Sequence, residues 1–148
     1  MDGEFLALVE ETKTNLRTIF KTSNSVTFPV SGTGSSGMEL LLVNFLEAGD
    51  KLVVGVNGVF GGRVANLARR LGADVVEVRQ DLGRANDNRE FIEVVTRERP
   101  KVAALVNAET STGVYQPMDG IAKAVHDVGG LLMIDCVTSL GGMPVEID

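Results

Sequence analysis

The sequence has few of the residues that build disulfides, metal sites and aromatic-rich surfaces. It contains one cysteine, one histidine, one tyrosine and no tryptophan among 148 residues. The single cysteine, Cys136, excludes an internal disulfide and a cysteine-rich metal site, as expected in a reducing compartment. No cluster of carboxylates accompanies His126, which we expect on a solvated helix face, so no metal site is predicted.

Long apolar runs and an excess of positive charge are also missing. No run approaches the roughly 18 apolar residues that a membrane helix needs. The acidic start, MDGEFLALVEETK, lacks the basic region of a signal peptide. With 14 Lys and Arg against 20 Asp and Glu, the net charge is −6, which disfavours binding to nucleic acid or anionic lipid. We therefore expect a cytoplasmic protein with neither a nucleic-acid nor a membrane partner.

Glycine, in contrast, is abundant. The chain has 17 glycines in an otherwise ordinary globular composition, with 44% hydrophobic and 23% charged residues. Its length suits one domain. Glycine at this density indicates either turns or backbone brought close to a ligand, so the positions of the glycines decide the interpretation.

Helical and strand-like apolar patterns alternate along the chain. Helices are predicted over 4–20, 36–47, 64–71, between 87 and 100, and over 119–128; strands are predicted over 25–30, 51–56, 74–78, 101–107 and 131–134. Asp2 and Asp87 are predicted N-caps, Asp87 as part of a capping box with Glu90, and Gly72 is a predicted C-cap. Continuous apolar strands between helices predict an α/β fold with a mainly parallel sheet and helices on both faces. We expect residues 1–148 to form this single domain.

Four segments that follow predicted strands are rich in glycine or polar residues. They lie at 31–37, 57–62, 107–113 and 135–142. In open α/β sheets, ligands bind beyond the carboxyl ends of the strands, so these segments are the candidate binding segments.

The first segment, SGTGSSG, opens a predicted helix. Backbone amides at a helix N-terminus suit a phosphate, and the hydroxyl side chains of this segment suit a phosphate monoester. Its glycines also match the G-x-G-x-x-G pattern of a dinucleotide fold, but Asn57 stands where that fold places an acidic residue. A glycine turn without a ligand is the alternative.

The other three segments each allow more than one interpretation. Phe60 could stack on a flat heteroaromatic ligand or belong to the core. NAETSTG could offer hydroxyl groups to a ligand or form a turn whose side chains bond their own backbone. Asp135, directly after the strand LLMI, could pair with a cationic ring nitrogen, bind a metal or stabilise a turn. Together, a phosphate site, a stacking ring, hydroxyl groups and a strand-end carboxylate match the needs of pyridoxal phosphate.

These motifs resemble those of class V aminotransferases of the alanine–glyoxylate and serine–glyoxylate (serine–pyruvate) group, which have the fold-type I architecture. The resemblance rests on SGTGSSGMELLLVNFLEAGD, VNGVFGGR, NAETSTGVYQPMDGI and IDCVTSLGGMPVEID, in this order. It implies that Thr33, Gly34 and Ser35 approach the cofactor phosphate. It also implies that Phe60 stacks on one face of the pyridine ring and that Val137 packs on the other.

For the polar atoms of the ring, the resemblance implies two further partners. Thr110 corresponds to the residue that hydrogen-bonds the phenolic oxygen, and Asp135 to the catalytic partner of the ring nitrogen. The Schiff-base lysine of the family lies on a later strand, and all five lysines of this chain precede Asp135. We therefore expect the central part of a large domain, without the N-terminal arm, the lysine segment and the C-terminal domain.

The function implied for the intact enzyme is transamination, in a homodimer, between alanine or serine and an oxo acid such as glyoxylate or pyruvate. Because the lysine base is missing, we predict that this chain alone is inactive. Two other functions remain open. One is a non-catalytic folded fragment or binding module, and the other is a dinucleotide-binding oxidoreductase domain.

Overall fold

A computed structural model describes residues 2–148, which form five helices and six strands. The helices are α1 (Gly3–Ile19), α2 (Gly34–Phe45), α3 (Val59–Arg70), α4 (Asn88–Glu98) and α5 (Ile121–Asp127). The strands are β1 (Lys51–Val56), β2 (Asp74–Arg79), β3 (Val102–Val106), β4 (Ala108–Glu109), β5 (Val114–Tyr115) and β6 (Leu131–Asp135). One parallel sheet has the order β2-β1-β3-β6, and β4 and β5 form a separate antiparallel hairpin. The predicted α/β fold is confirmed.

The central strands β1 and β3 are buried on both faces of the sheet. Leu52 and Val54 pack in a core with residues of α2 and α3, whereas Val53 packs in a second core with residues of α4 and α5. All five residues of β3 are buried. Full burial of each valine or leucine side chain in these strands contributes about 1.5–3 kcal/mol before conformational entropy is counted. Helices α2 and α3 thus cover one face of the sheet and α4 and α5 the other, as predicted for a sheet with helices on both faces.

Local capping signals in the sequence identify several helix ends correctly. The side chain of Asp2 accepts a hydrogen bond from the Glu4 amide, and that of Asp87 accepts from the amides of Arg89 and Glu90. The reciprocal half of the expected capping box is not formed, because the Glu90 carboxylate accepts instead from the side chain of Gln80. Gly72 follows α3 with φ +83°, the left-handed conformation expected for a C-terminal glycine.

The strand predicted over 25–30 is wrong. These residues lie outside every helix and strand, and Val26, Phe28 and Val30 are all exposed. Pro29 also lacks the N–H that a ladder requires. β-branched and aromatic residues favour a strand where a neighbouring strand pairs with them, and no strand pairs with this segment in the described part of the chain.

Helix α3 begins at Val59, well before the predicted start at Val64. Gly61 and Gly62 argue against a helix by propensity. The structure gives Gly61 a packing reason, because a Cβ at this position would lie 2.6 Å from the carbonyl oxygen of Gly55 in β1. The absence of a side chain lets the first turn of α3 approach the sheet, which overrides the local preference.

The hairpin of β4 and β5 was not predicted from the sequence. It is closed by the Gly113 amide, which donates to the carbonyl oxygen of Glu109 at 2.8 Å, with Gly113 at φ +69°. Strands of two residues are too short to give a periodic signal. Within residues 2–148, no helix is both long and apolar enough to cross a membrane.

Candidate functional site

A cleft of about 180 Å³ lies near the carboxyl ends of β3 and β6, next to the first turns of α2 and α3. The seven residues predicted to contact a cofactor all line it, namely Thr33, Gly34, Ser35, Phe60, Thr110, Asp135 and Val137. Four further residues, Met38, Val106, Ala108 and Thr138, complete the lining. The structure therefore brings together residues from four separate segments of the chain.

The start of α2 forms one wall of the cleft. Thr33 is the N-cap, and its Oγ1 accepts a hydrogen bond from the Ser36 amide at 3.2 Å. The amides of Gly34 and Ser35 point out of the first turn, where a helix provides no backbone acceptor. A Cβ at Gly34 would lie 2.9 Å from Cγ2 of Val137, so glycine allows the Val137 side chain to approach the start of α2 in its present rotamer. This wall offers unpaired donors at the positive end of a helix.

Phe60 lies in the first turn of α3, where it lines the cleft and packs partly against the core. The interpretation as a core residue is therefore correct in part, and stacking on a ligand stays a prediction. The Arg63 guanidinium lies over the Phe60 ring, 4.9 Å from its centroid, and donates to Ser35 Oγ at 2.7 Å. Arg63 therefore joins the ring to the start of α2 and places a positive charge beside it.

Sequence reasoning did not single out Arg63. The signal available was its position three residues after Phe60, which places both on one face of a helix. That signal could be used only once α3 was known to begin before Phe60.

Thr110 lies at the start of the turn between β4 and β5. Its hydroxyl contacts the hydroxyl of Thr138, a second lining residue that sequence reasoning did not assign to the site. The amides of Thr112 and Gly113 both donate to the Glu109 carbonyl oxygen. NAETSTG is therefore a backbone-bonded turn that also presents a hydroxyl group to the cleft.

Asp135 ends β6, and its Oδ1 accepts a hydrogen bond from the Val137 amide at 3.0 Å. This bond fixes the carboxylate at the edge of the cleft and leaves its other oxygen available. The neighbouring thiol, Cys136, is about half-buried, and burial raises its pKa above the ordinary value, so it stays protonated near neutral pH.

No lysine lines this cleft in the described part of the chain. Each lysine instead pairs with a carboxylate elsewhere, as Lys13–Glu10, Lys21–Glu146, Lys51–Glu98, Lys101–Asp50 and Lys123–Asp127. The cleft formed by residues 2–148 thus contains no lysine amine.

Comparison with known proteins identifies relatives along the whole chain. The chain is 40% identical to the alanine–glyoxylate aminotransferase of Mus musculus over 148 residues, which is 100% of this chain and 36% of the mouse protein. It therefore spans about a third of the length of that relative.

Solved structures give the same result. The alanine–glyoxylate aminotransferase of Nostoc sp. superposes with a TM-score of 0.93 and 42% identity, covering 97% of this chain and 38% of that one. The ureidoglycine–glyoxylate aminotransferase of Bacillus subtilis superposes with a TM-score of 0.97 and 32% identity, covering 99% and 38%. The aminotransferase class-V family model matches residues 1–148. The chain therefore belongs to the class-V aminotransferases, a family of pyridoxal-phosphate-dependent enzymes.

Proposed function

We propose that the cleft holds pyridoxal phosphate in an enzyme that transfers an amino group from an amino acid to an oxo acid. The observation that carries this proposal is the convergence of donors, an aromatic ring and a carboxylate from four chain segments on one cleft. The donor set fits the cofactor, because the unpaired amides at the start of α2 suit a phosphate and the strand-end carboxylate suits a protonated ring nitrogen.

Different residues of the cleft would contact different parts of the cofactor. The amides of Gly34 and Ser35, with the hydroxyl of Thr33, would bind the phosphate. Phe60 and Val137 would enclose the ring from its two faces and exclude water from it.

Two polar side chains would complete the contacts to the ring. The Thr110 hydroxyl would donate to the phenolic oxygen, while the Asp135 carboxylate would hold a proton at the ring nitrogen. When bound, pyridoxal phosphate withdraws electrons from the α-carbon of the amino acid, and the proton held by Asp135 strengthens that withdrawal.

The proposed substrates are alanine or serine as the amino donor and glyoxylate or pyruvate as the acceptor. Support comes from the names of the relatives, which include alanine–glyoxylate and ureidoglycine–glyoxylate aminotransferases. Because no lysine lines the cleft within residues 2–148, we further propose that this chain alone does not transaminate. The cytoplasmic location expected from the sequence stays a prediction.

We also propose that the enzyme is a homodimer. Helix α1 has no buried residue, and its side chains Phe5, Leu8 and Ile19 are each at least half exposed. The exposed side chains of Val26 and Phe28 add to the uncovered apolar surface. Surface of this kind is typical of a protein interface. Light scattering coupled to size exclusion of the full-length enzyme should give twice the mass of one polypeptide, and a monomer at micromolar concentration would refute this.

An absorbance titration with pyridoxal phosphate tests the cofactor proposal. We expect saturable binding, and weaker binding by Asp135→Asn, because the amide cannot stabilise the ring-nitrogen proton. Asp127→Asn is the matched control, since Asp127 is an exposed residue of α5 paired with Lys123.

Pyridoxamine phosphate should be titrated in parallel, since it has an amine in place of the aldehyde and cannot react with surface lysines. If the folded chain binds neither compound saturably, the cofactor proposal for this chain fails and a non-catalytic binding module is favoured.

A further inference from the structure

Glu109 is almost completely buried beside the cleft without lining it. It is 1% exposed, and its carboxylate accepts four hydrogen bonds. Oε2 accepts from the amides of Phe60 at 3.1 Å and Gly61 at 3.2 Å, and Oε1 accepts from the amide of Ser111 at 3.2 Å and its hydroxyl at 2.6 Å. A buried carboxylate is stable only when its oxygens are paired in this way.

These bonds give α3 a cap that comes from another segment of the chain. Its own N-cap, Gly58, has no side chain to offer. Ser111 Oγ accepts from the Val59 amide at 2.9 Å, and Glu109 takes the next two amides of the helix. A Cβ at Gly58 would lie 2.3 Å from Glu109 Cγ, so the carboxylate packs directly over the glycine.

The same carboxylate connects two walls of the cleft. On one side it bonds the backbone of Phe60, whose ring lines the cleft. On the other side it bonds both the amide and the hydroxyl of Ser111, and the lining residue Thr110 lies between Glu109 and Ser111 in the chain. Rotation of α3 or of the turn would break these bonds, so the spacing between the Phe60 ring and the Thr110 hydroxyl is fixed through Glu109.

We propose that Glu109 is a positioning residue that sets the distance between two groups lining the cleft, the Phe60 ring and the Thr110 hydroxyl. The consequence for ligand affinity rests on the proposed function, in which Phe60 and Thr110 contact the same ring. The effect of Glu109 on hydrogen exchange at the Phe60 amide does not depend on the proposed function.

The test is Glu109→Gln, which keeps the size of the side chain. An amide has one acceptor oxygen and one donor NH₂ group, so two of the four donors lose their partner in either orientation. The matched control is the reverse change at Gln116, which is 0% exposed and bonds Asn86 and Asn88 outside the cleft. Gln116→Glu also breaks buried hydrogen bonds, so it shows how much ligand affinity changes when stability is lost without a change at the cleft.

Affinity is measured with pyridoxamine phosphate at temperatures where unfolding curves show each variant to be fully folded. Hydrogen exchange at the Phe60 and Gly61 amides is measured by NMR without ligand. We expect Glu109→Gln to bind about tenfold more weakly and to exchange faster at both amides. Gln116→Glu should bind within about twofold of the unchanged chain. Ser111→Ala, which removes one arm of the same network, should act in the same direction as Glu109→Gln and replaces it if that variant does not fold.

Unchanged affinity in Glu109→Gln, or an equal loss in Gln116→Glu, would overturn the positioning role. If the unchanged chain binds no ligand, the proposed function fails, and the exchange rates decide the role of Glu109 separately. Unchanged exchange at Phe60 and Gly61 in that case refutes the inference, whereas faster exchange only in Glu109→Gln supports it.

Discussion

Two helices begin at the edge of the same cleft and satisfy their first amides in opposite ways. At α2, the N-cap Thr33 bonds the Ser36 amide and leaves those of Gly34 and Ser35 without a helical acceptor. At α3, Ser111 Oγ accepts from the Val59 amide and the buried Glu109 accepts from the amides of Phe60 and Gly61, so the first three amides of the helix are all bonded. The start of α2, the open helix start, therefore has free amides for the proposed phosphate, whereas the first amides of α3, the closed helix start, are already bonded within the chain. Under the proposed function, this difference between the two helix starts orients the cofactor with its phosphate at α2.

The largest expected effect is at the closed helix start. Gly61→Ala should lower the free energy of unfolding by about 3 kcal/mol, because the new Cβ meets backbone atoms of β1 that cannot move independently. The measurement is a urea unfolding curve.

Gly62→Ala is the control for this change. It is in the same helix turn and would meet no atom within 4 Å. Ala should therefore stabilise the chain by up to about 1 kcal/mol through helix propensity. Equal destabilisation by the two substitutions would show that the contact between α3 and β1 is not the cause.

A smaller effect is expected at the open helix start. Thr33→Ala removes the side-chain cap of α2 and should cost about 1 kcal/mol of unfolding free energy in the same assay. Thr33→Ser keeps the hydroxyl group and should restore most of this. If the serine variant is as unstable as the alanine variant, the cap does not contribute through its hydroxyl.

The smallest effect on stability is expected from Gly34→Ala, although its effect on binding is large. The Val137 side chain that the new Cβ would meet is 72% exposed and can rotate away, so unfolding should change by less than about 0.5 kcal/mol. The displaced side chain would occupy the cleft and weaken binding of pyridoxamine phosphate in the titration. Gly37→Ala, at a position with no atom within 4 Å of the new Cβ, should leave the affinity unchanged.

The open helix start could be predicted from the sequence because its signals are local. Thr33 and the glycines around it act on amides within three residues. Helix α2 begins at Gly34, two residues before the predicted start at 36, although the strand predicted before it is not formed. The prediction of a strand over 25–30 was wrong because strand formation depends on a partner strand that is distant in sequence. The start of α3 was not predicted correctly for the same reason. Its cap comes from Glu109, which is far from Gly58 in sequence.

The order of the strands has a consequence for when the cleft forms during folding. Thr33 precedes the first strand, whereas Asp135 ends the last one and lies beside β3 only after β6 has paired with it. Contacts between such distant parts of a chain cost loop-closure entropy, so the cleft is complete only when the sheet has formed. A ligand of this cleft would therefore bind the native state alone and shift the folding equilibrium by mass action. Its binding would thus protect the whole sheet against unfolding, including β2 at the far edge, which contributes no residue to the cleft.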